Sequence, residues 1–305
     1  STNLFFPKRL KGTALGIQAG IGNFGVSIAQ FMTPALLGIA LYGTSETFTK
    51  VNPKTKEITG TSEIYLQNAS FWYIPFLLIM TFVCWRVLRS VPIKASFKEQ
   101  LDIFKEKHTW YCTITYLMTF GTFSGLAAAF PMMMKSLYGD FPDAPDPLKY
   151  AFYGPLIGSA SRVLFGFVSD KTGGAILTTI TGIGLIAGSV LMITMGLVAP
   201  TSMDTFPMFV GVMLGMFFFA GIGNAATFRQ YPIIFQHNPR QAAGVIGWTA
   251  AIAAYGPFIF SSIIGAVIGA TTNANGFFWG LLVFLVAATW VNWNFYNKKG
   301  CERPC

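Results

Sequence analysis

One charged side chain interrupts the run at positions 150–168, where every other residue is apolar, small or hydroxylic: Arg162. Guanidinium keeps its charge at any physiological pH and presents a planar fork of N–H donors, which matches a flat or forked oxyanion better than the point charge of lysine does. Asp170 marks the end of the run, so Arg162 lies eight residues inward, about 12 Å along a helix. Snorkelling recovers part of that distance. A charge left in hydrocarbon costs about 3 kcal/mol or more and by default marks a functional partner. The apolar runs contain no Asp or Glu to neutralise it, so the negative charge is expected from a substrate. Arg229 stands about six residues from the end of its own run, reaches the interface and reads as structural.

A second constellation lies in HTWYCTITYLMTFGTFSGLAAAF from His108. Tyr116, Phe120 and Phe123 recur at spacings of four and three, which puts them on one helical face. Packing explains most such stripes. Here Thr119, Thr122 and Ser124 sit among the rings, and a buried tyrosine hydroxyl needs a partner. A small flat anion held between aromatic faces and bonded at its edge satisfies both demands. Asn224 and Thr227 are weaker candidates, equally suited to bonding a neighbouring helix.

Gly20, Gly22 and Gly25 spell G-x-G-x-x-G, with Glu46 about twenty residues on, the pattern of a dinucleotide fingerprint. No strand precedes it and the glycines sit inside a long apolar run, so that reading is rejected. Gly12, Gly16 and Gly20 are spaced at four, as are Ala243, Gly247 and Ala251, giving each helix a smooth stripe for a close neighbour. Glycine at a bent or broken helix also lets a small substrate approach the backbone, and the amide of Asn23 within the same run favours that second role.

The elements that carry these residues follow from composition. The chain of 305 residues is 53% hydrophobic and 11% charged, with mean hydropathy +0.53, whereas a soluble domain is about 25% charged. Eight continuous apolar runs are long enough to cross a bilayer, at about 12–41, 70–92, 109–137, 149–169, 174–199, 205–235, 241–269 and 275–297. They lack two-residue alternation, so membrane strands are not expected. The net charge of +9 records topology rather than nucleic-acid binding. Switching sides at each run puts Lys8, Arg9, Lys11, Arg86, Arg89, Lys94, Lys98, Lys105, Lys107, Lys171, Arg229, Arg240, Lys298, Lys299 and Arg303 on one face. Only Lys50, Lys54, Lys56, Lys135 and Lys149 fall on the other. The positive-inside rule then makes both ends of the chain cytoplasmic. Cys84 and Cys112 read as small apolar fillers, and GCERPC as a frayed tail rather than a zinc site. His108 and His237 are the two histidines, both at run ends, so neither a metal nor a cofactor such as haem is expected.

The first and seventh runs overlay without gaps: Gly16 on Gly247, Ala19 on Ala250, Ile21 on Ile252, Phe24 on Tyr255 and Gly25 on Gly256. Runs six apart and of one design imply two parallel six-helix halves. The chain then supplies the last two helices of a first half (1–92), an amphipathic cytoplasmic linker helix (93–108, with Phe97, Leu101 and Phe104 on one side) and all six helices of a second half (109–305). About four helices are expected upstream, the first ten residues reading as a loop met in mid-protein. Prolines at 34, 75, 131, 155, 232 and 257 sit in or beside runs, where kinks are tolerated.

GFVSDKTGG from Gly166 resembles the cytoplasmic loop motif of the major facilitator superfamily. GIQAGIGNFGVSIAQ, preceded by FFPKRLKGTAL, resembles the first nitrate signature of its nitrate/nitrite porter family, and GWTAAIAAYGPF the second, with Ala250, Ala253 and Ala254 where relatives often carry Ser or Gly. The resemblance covers the whole chain and implies an all-α membrane protein with a partial major facilitator fold, about eight of twelve transmembrane helices. It further implies that Arg162 binds substrate, that Tyr116 and Phe120 line the pathway, and that Asn23 and Gly25 belong to the first signature and Gly247 to the second. A second essential arginine would lie upstream of Ser1. The expected function is alternating-access transport of nitrate and nitrite across a bacterial cytoplasmic membrane by a monomer, without enzymatic chemistry. Antiport is favoured because these runs lack a carboxylate to relay protons. Proton symport and carriage of another small anion are the alternatives, ahead of a channel, a sugar or drug facilitator, or a redox subunit.

Overall fold

A computed structural model describes residues 5–51, 58–88 and 100–305. The longer helices among them organise it: α1 (Lys11–Leu37), α2 (Tyr73–Val87), α3 (Lys107–Tyr116), α4 (Thr122–Met133), α5 (Tyr153–Thr172), α6 (Gly174–Thr194), α7 (Phe206–Ile234), α8 (Pro239–Ala253), α9 (Gly256–Thr271) and α10 (Asn275–Asn292). Among the described residues, seven helical segments are long and apolar enough to cross a membrane, including Lys107–Tyr138 (α3 and α4 with their π-helical turns) and Pro239–Thr271 (α8 and α9). α1 is not among the seven, although its 27 residues extend about 40 Å. Five glycines and three side-chain amides dilute its apolar character.

Packing divides the chain into two compact units, Ser1–Ser27 with Ala95–Cys305, and Ile28–Lys94. In the smaller unit, Asn68 Nδ2 donates to the carbonyls of Leu36 (2.9 Å) and Ile39 (2.7 Å), tying the start of the second span to the end of α1. Between them lies a feature that the apolar runs do not announce. β1 (Glu46–Val51) and β2 (Ile58–Ile64) pair antiparallel from Glu46↔Ile64 to Val51↔Ile58. Alternating Thr, Phe and Val in ETFTKV suit a pleated surface, and a loop outside the bilayer leaves those backbone groups free to pair.

The larger unit is built around α7, which packs on α5 and α6. Lipid is as apolar as a leucine side chain, so helices here associate through close packing of small residues. A Cβ at Gly221 would strike Ser161 and the Gly158 carbonyl, one at Gly223 would strike Thr119 and Thr181, and one at Gly174 would lie 2.6 Å from the Ala226 carbonyl. Phe123, Phe130, Phe209, Phe217, Met133 and Met216 fill the core. The span Pro239–Thr271 breaks at Ala254 and Tyr255, just before Pro257 at the first turn of α9. Proline removes the N–H that would continue the ladder. α1 runs unbroken through the matching Asn23.

Two further expectations meet a different structure. Residues 93–99 of the linker, Phe97 included, lie outside the described residues; from Leu101 the chain forms a five-residue 3-10 turn and Glu106 is extended, so no α-helix continues there. Asp102 of this turn pairs with Arg240, and Phe104 meets Trp248 edge-on at 4.6 Å. The tail does not fray. Glu302 bonds Lys107 (2.8 Å), Arg303 Nη1 donates to the Ile234 carbonyl (3.2 Å), and the Cys305 carbonyl accepts from Ala175 N (3.1 Å). The adjacent Glu302 and Arg303 and the Cys305 carbonyl let the tail satisfy helix ends on three elements, which composition alone does not reveal.

Candidate functional site

α5 delivers Arg162 to the interior with 1% of its surface exposed. α5 is held in register by α1, which runs antiparallel to it. A Cβ at Gly16 would sit 2.9 Å from Gly166 Cα and 3.2 Å from the Arg162 carbonyl, and one at Gly20 would sit 3.2 Å from Val163 N. The stripe therefore carries close packing, as its spacing predicts. Asp170 locks its end: the carboxylate accepts from Gly12 N (2.8 Å), Thr13 N (2.7 Å) and Thr13 Oγ1 (2.7 Å), and pairs with Arg229 at 3.4 Å. An anion at the positive end of a helix satisfies donors that have no intrahelical partner. Arg229 thus has the structural role its position suggests. At the other end Ser27 Oγ donates to the Phe152 carbonyl at 2.9 Å.

Arg162 has no such partner. Its Nε and Nη2 make no hydrogen bond, and among the described residues no carboxylate pairs with it. Its surroundings are aromatic. The Cζ atom stands 4.7 Å from the Phe228 ring centroid and 5.9 Å from that of Phe120. Tyr116 stacks on Phe120 (5.4 Å, 7°) and on Phe228 (5.2 Å, 18°), and Phe120 stacks on Phe123 at 6.0 Å. Tyr116 is itself buried, with 2% of its surface exposed. A cation over a desolvated ring gains about 2 kcal/mol, while burying an unpaired ion costs several. The remaining deficit, with two open donors on one face, suits a small planar anion.

Local backbone positions the rings. Leu117–Gly121 is a π-helical turn, and π turns cluster where a helix must re-aim side chains. Gly121 at its end receives α9: a Cβ at Gly256 would strike the Gly121 carbonyl, and Ser124 Oγ donates to the Ala253 carbonyl at 3.4 Å. Beside the π turn an apolar cavity of about 290 Å³ is lined by Leu117, Gly121, Phe260, Phe277 and Phe284. It presents no charged or hydroxyl side chain and does not include the arginine, so its lining does not suit an anion.

The structure brings together Arg162, Tyr116 and Phe120. Asn23 lies on the helix that packs against α5, one turn past Gly20, half-buried, with its Nδ2 unbonded. Gly25 and Gly247 are exposed, and a Cβ added at either would meet nothing within 4 Å among the described residues. Thr227 donates to the Gly223 carbonyl at 2.9 Å and so stays within its helix. Sequence reasoning passed over Phe228, the ring nearest the guanidinium. Its signal was present: one turn after Asn224 and beside Arg229, it is the aromatic residue in the most polar part of its span.

No family model matches the chain. Individual proteins do. It is 54% identical over 310 residues to the probable nitrate/nitrite antiporter NarK2 of Thermus thermophilus, covering 100% of this chain and 68% of that protein. It is 31% identical over 318 residues to the nitrate/nitrite transporter NarU of Escherichia coli, covering 97% and 66%. The chain thus spans about two thirds of the length of these relatives. Among solved structures it resembles the major facilitator superfamily transporter FucP in the outward conformation, with TM-score 0.60 and 13% identity over 95% of this chain and 70% of that one. That likeness speaks for the fold, and with the seven apolar helices it describes a multi-pass membrane protein. With 54% identity along its full length to such a protein, the chain belongs to the nitrate/nitrite porter family of the major facilitator superfamily.

Proposed function

We propose that the protein containing this chain moves nitrate and nitrite across a bacterial cytoplasmic membrane by alternating access, exchanging one for the other. One observation carries the reading: a buried guanidinium with two unbonded donors, no carboxylate partner among the described residues and aromatic rings on its flank. A planar oxyanion supplies the missing charge and fits the fork, and Tyr116, Phe120 and Phe228 exclude water around it. The relatives carry printed names of nitrate/nitrite antiporter and nitrate/nitrite transporter, which supports the same substrates. Nothing in this arrangement performs covalent chemistry. Residues 1–92 form the end of a first half, 93–108 the connection and 109–305 the second half, with both ends of the chain cytoplasmic. Asn23, Gly25 and Gly247 face the pathway between the halves, and the protein works as a monomer in the bilayer.

Exchange is favoured over proton symport, since no Asp or Glu among the described residues stands beside the arginine to relay a proton. Labelled nitrate uptake into liposomes holding the full-length protein tests this, with nitrite inside or absent and with or without a proton gradient. Uptake that requires internal nitrite and ignores the gradient supports exchange. Gradient-driven uptake into empty vesicles replaces it with symport, and no uptake under any condition rejects transport of nitrate.

A further inference from the structure

The arginine is not alone in lacking partners. Asn224 of α7 is fully buried, and neither its Nδ2 nor its Oδ1 makes a hydrogen bond. An amide left so in an apolar interior is costly, and its neighbours in sequence show that α7 had alternatives, since Thr227 bonds its own helix and Gln230 bonds both Thr178 (3.0 Å) and Asn292 (2.9 Å). The direction of the side chain follows from the helix. Asn224 stands four residues before Phe228 and seven after Phe217, on one stripe. Phe228 lies against Arg162 and Tyr116, while Phe217 meets Phe123 edge-on at 5.9 Å. The flanking glycines fix its height: Gly221 packs on Ser161, the residue before Arg162, and Gly223 on Thr119, the residue before Phe120. The amide is thus held between the strip of rings and the turn of α5 that bears the arginine.

We propose that Asn224 is a second binding residue for the planar oxyanion assigned to Arg162, donating through Nδ2–H to an oxygen the guanidinium does not hold; this rests on the anion-site reading above. The spacing allows it. Asn224 and Phe228 are about 6 Å apart along the helix, and two hydrogen bonds of about 2.9 Å with a small oxyanion between them span about 8 Å. Because the donor lies off the axis of the guanidinium fork, it discriminates by shape: an anion with oxygens at fixed angles reaches both groups, and a spherical halide reaches one.

The test uses the purified full-length protein, wild type and Asn224→Leu, with nitrate and chloride titrations and thermal unfolding in the absence of anion. Leucine matches the amide in size and removes an unbonded polar group. The expected result is a nitrate dissociation constant raised about tenfold, the loss of one hydrogen bond to a charged partner, with chloride affinity changed less than twofold and the unfolding temperature unchanged or raised. Asn224→Ser, whose hydroxyl is too short to reach, gives the same loss and serves if the leucine variant does not fold. Nitrate affinity within twofold of wild type in either folded variant overturns the proposal, and a lowered unfolding temperature with unchanged affinity assigns Asn224 to helix contacts or a trapped water instead. A wild-type protein that binds no nitrate rejects the anion-site reading itself.

Discussion

Replacing Arg162 by lysine separates charge from geometry. Both residues are cationic, so an attraction resting on net charge survives the change. The fork does not: Nε and Nη2, the two donors left open in the structure, are parallel and fixed, whereas an ammonium offers one point on a flexible stem. A charge-assisted hydrogen bond contributes about 1.5–3 kcal/mol. Losing one of the two therefore weakens nitrate binding roughly 10- to 150-fold at about 1.4 kcal/mol per factor of ten. Arg162→Met completes the comparison. It removes an unpaired buried cation that the Phe228 face offsets only in part, so the anion-free protein is expected to unfold at the same or a higher temperature, while the rise in unfolding temperature that saturating nitrate gives the wild type disappears. Calorimetric titration and thermal unfolding of the full-length protein read both. Nitrate affinity within threefold of wild type in the lysine variant would refute the claim that the fork is what binds.

Three other perturbations test the framework around the site. Gly16→Ala drives a methyl to within 2.9 Å of Gly166 Cα and is expected to destabilise by about 1–3 kcal/mol through overpacking, seen as a lower unfolding temperature; Gly22→Ala, with nothing within 4 Å among the described residues, is the control. Asp170→Asn retains an acceptor but loses the charge that serves the α1 N-terminus and Arg229, and is expected to lower stability by about 1–2 kcal/mol, with no gain recovered by adding salt. In the tail, burial pushes the Cys305 thiol up to about 12, so at pH 8 maleimide labels Cys301 ahead of Cys305 and peptide mapping shows the order. The bond from Lys107 holds the Glu302 carboxyl below its usual range. A depressed folded value means the contribution is present above the unfolded pKa of about 4.3 and lost as pH falls through the folded one, so amide hydrogen exchange in residues 301–305, corrected for the intrinsic pH dependence, is expected to rise only on the acid side.

The segments that spell out one physical demand were legible. Continuous apolar runs have a single solution in lipid, which is why span limits and helices agree from α3 to α10. Gly12, Gly16 and Gly20 announced a packing stripe, because only small residues at spacing four allow such contact, although Asn23 had favoured a substrate role beside it; Arg162 stood out because its cost in hydrocarbon has no sequence-local remedy. What escaped depends on partners distant in sequence. Phe228 becomes a site residue only when α7 and α5 are side by side, and the tail is ordered only because Lys107, Ile234 and Ala175 converge beneath it. The alternation of β1 and β2 is short and polar, and it stands out little beside apolar runs of 20 residues or more. Gly25 and Gly247 were chosen from signatures, and the described residues give them no neighbour.

The packing of α1 on α5 also determines how motion would reach the arginine. The Gly16 stripe touches the backbone of the Arg162 turn itself, at the Arg162 carbonyl and Gly166 Cα, so a shift of α1 along α5 cannot leave that turn unaffected. Smooth glycine faces offer little steric resistance to such a shift. The resistance lies at the ends, where Asp170 accepts three hydrogen bonds from Gly12 and Thr13 and Ser27 donates one to Phe152. Sliding therefore requires release of the Asp170 end, whose bonds are charge-assisted and the stronger of the two sets. A substrate anion neutralising Arg162 changes the electrostatics of the same helix about 12 Å from Asp170, eight residues at about 1.5 Å each. The helix proposed to bind the anion is thus also the helix on which the register of α1 is fixed, and on that proposal the two events share one rigid element.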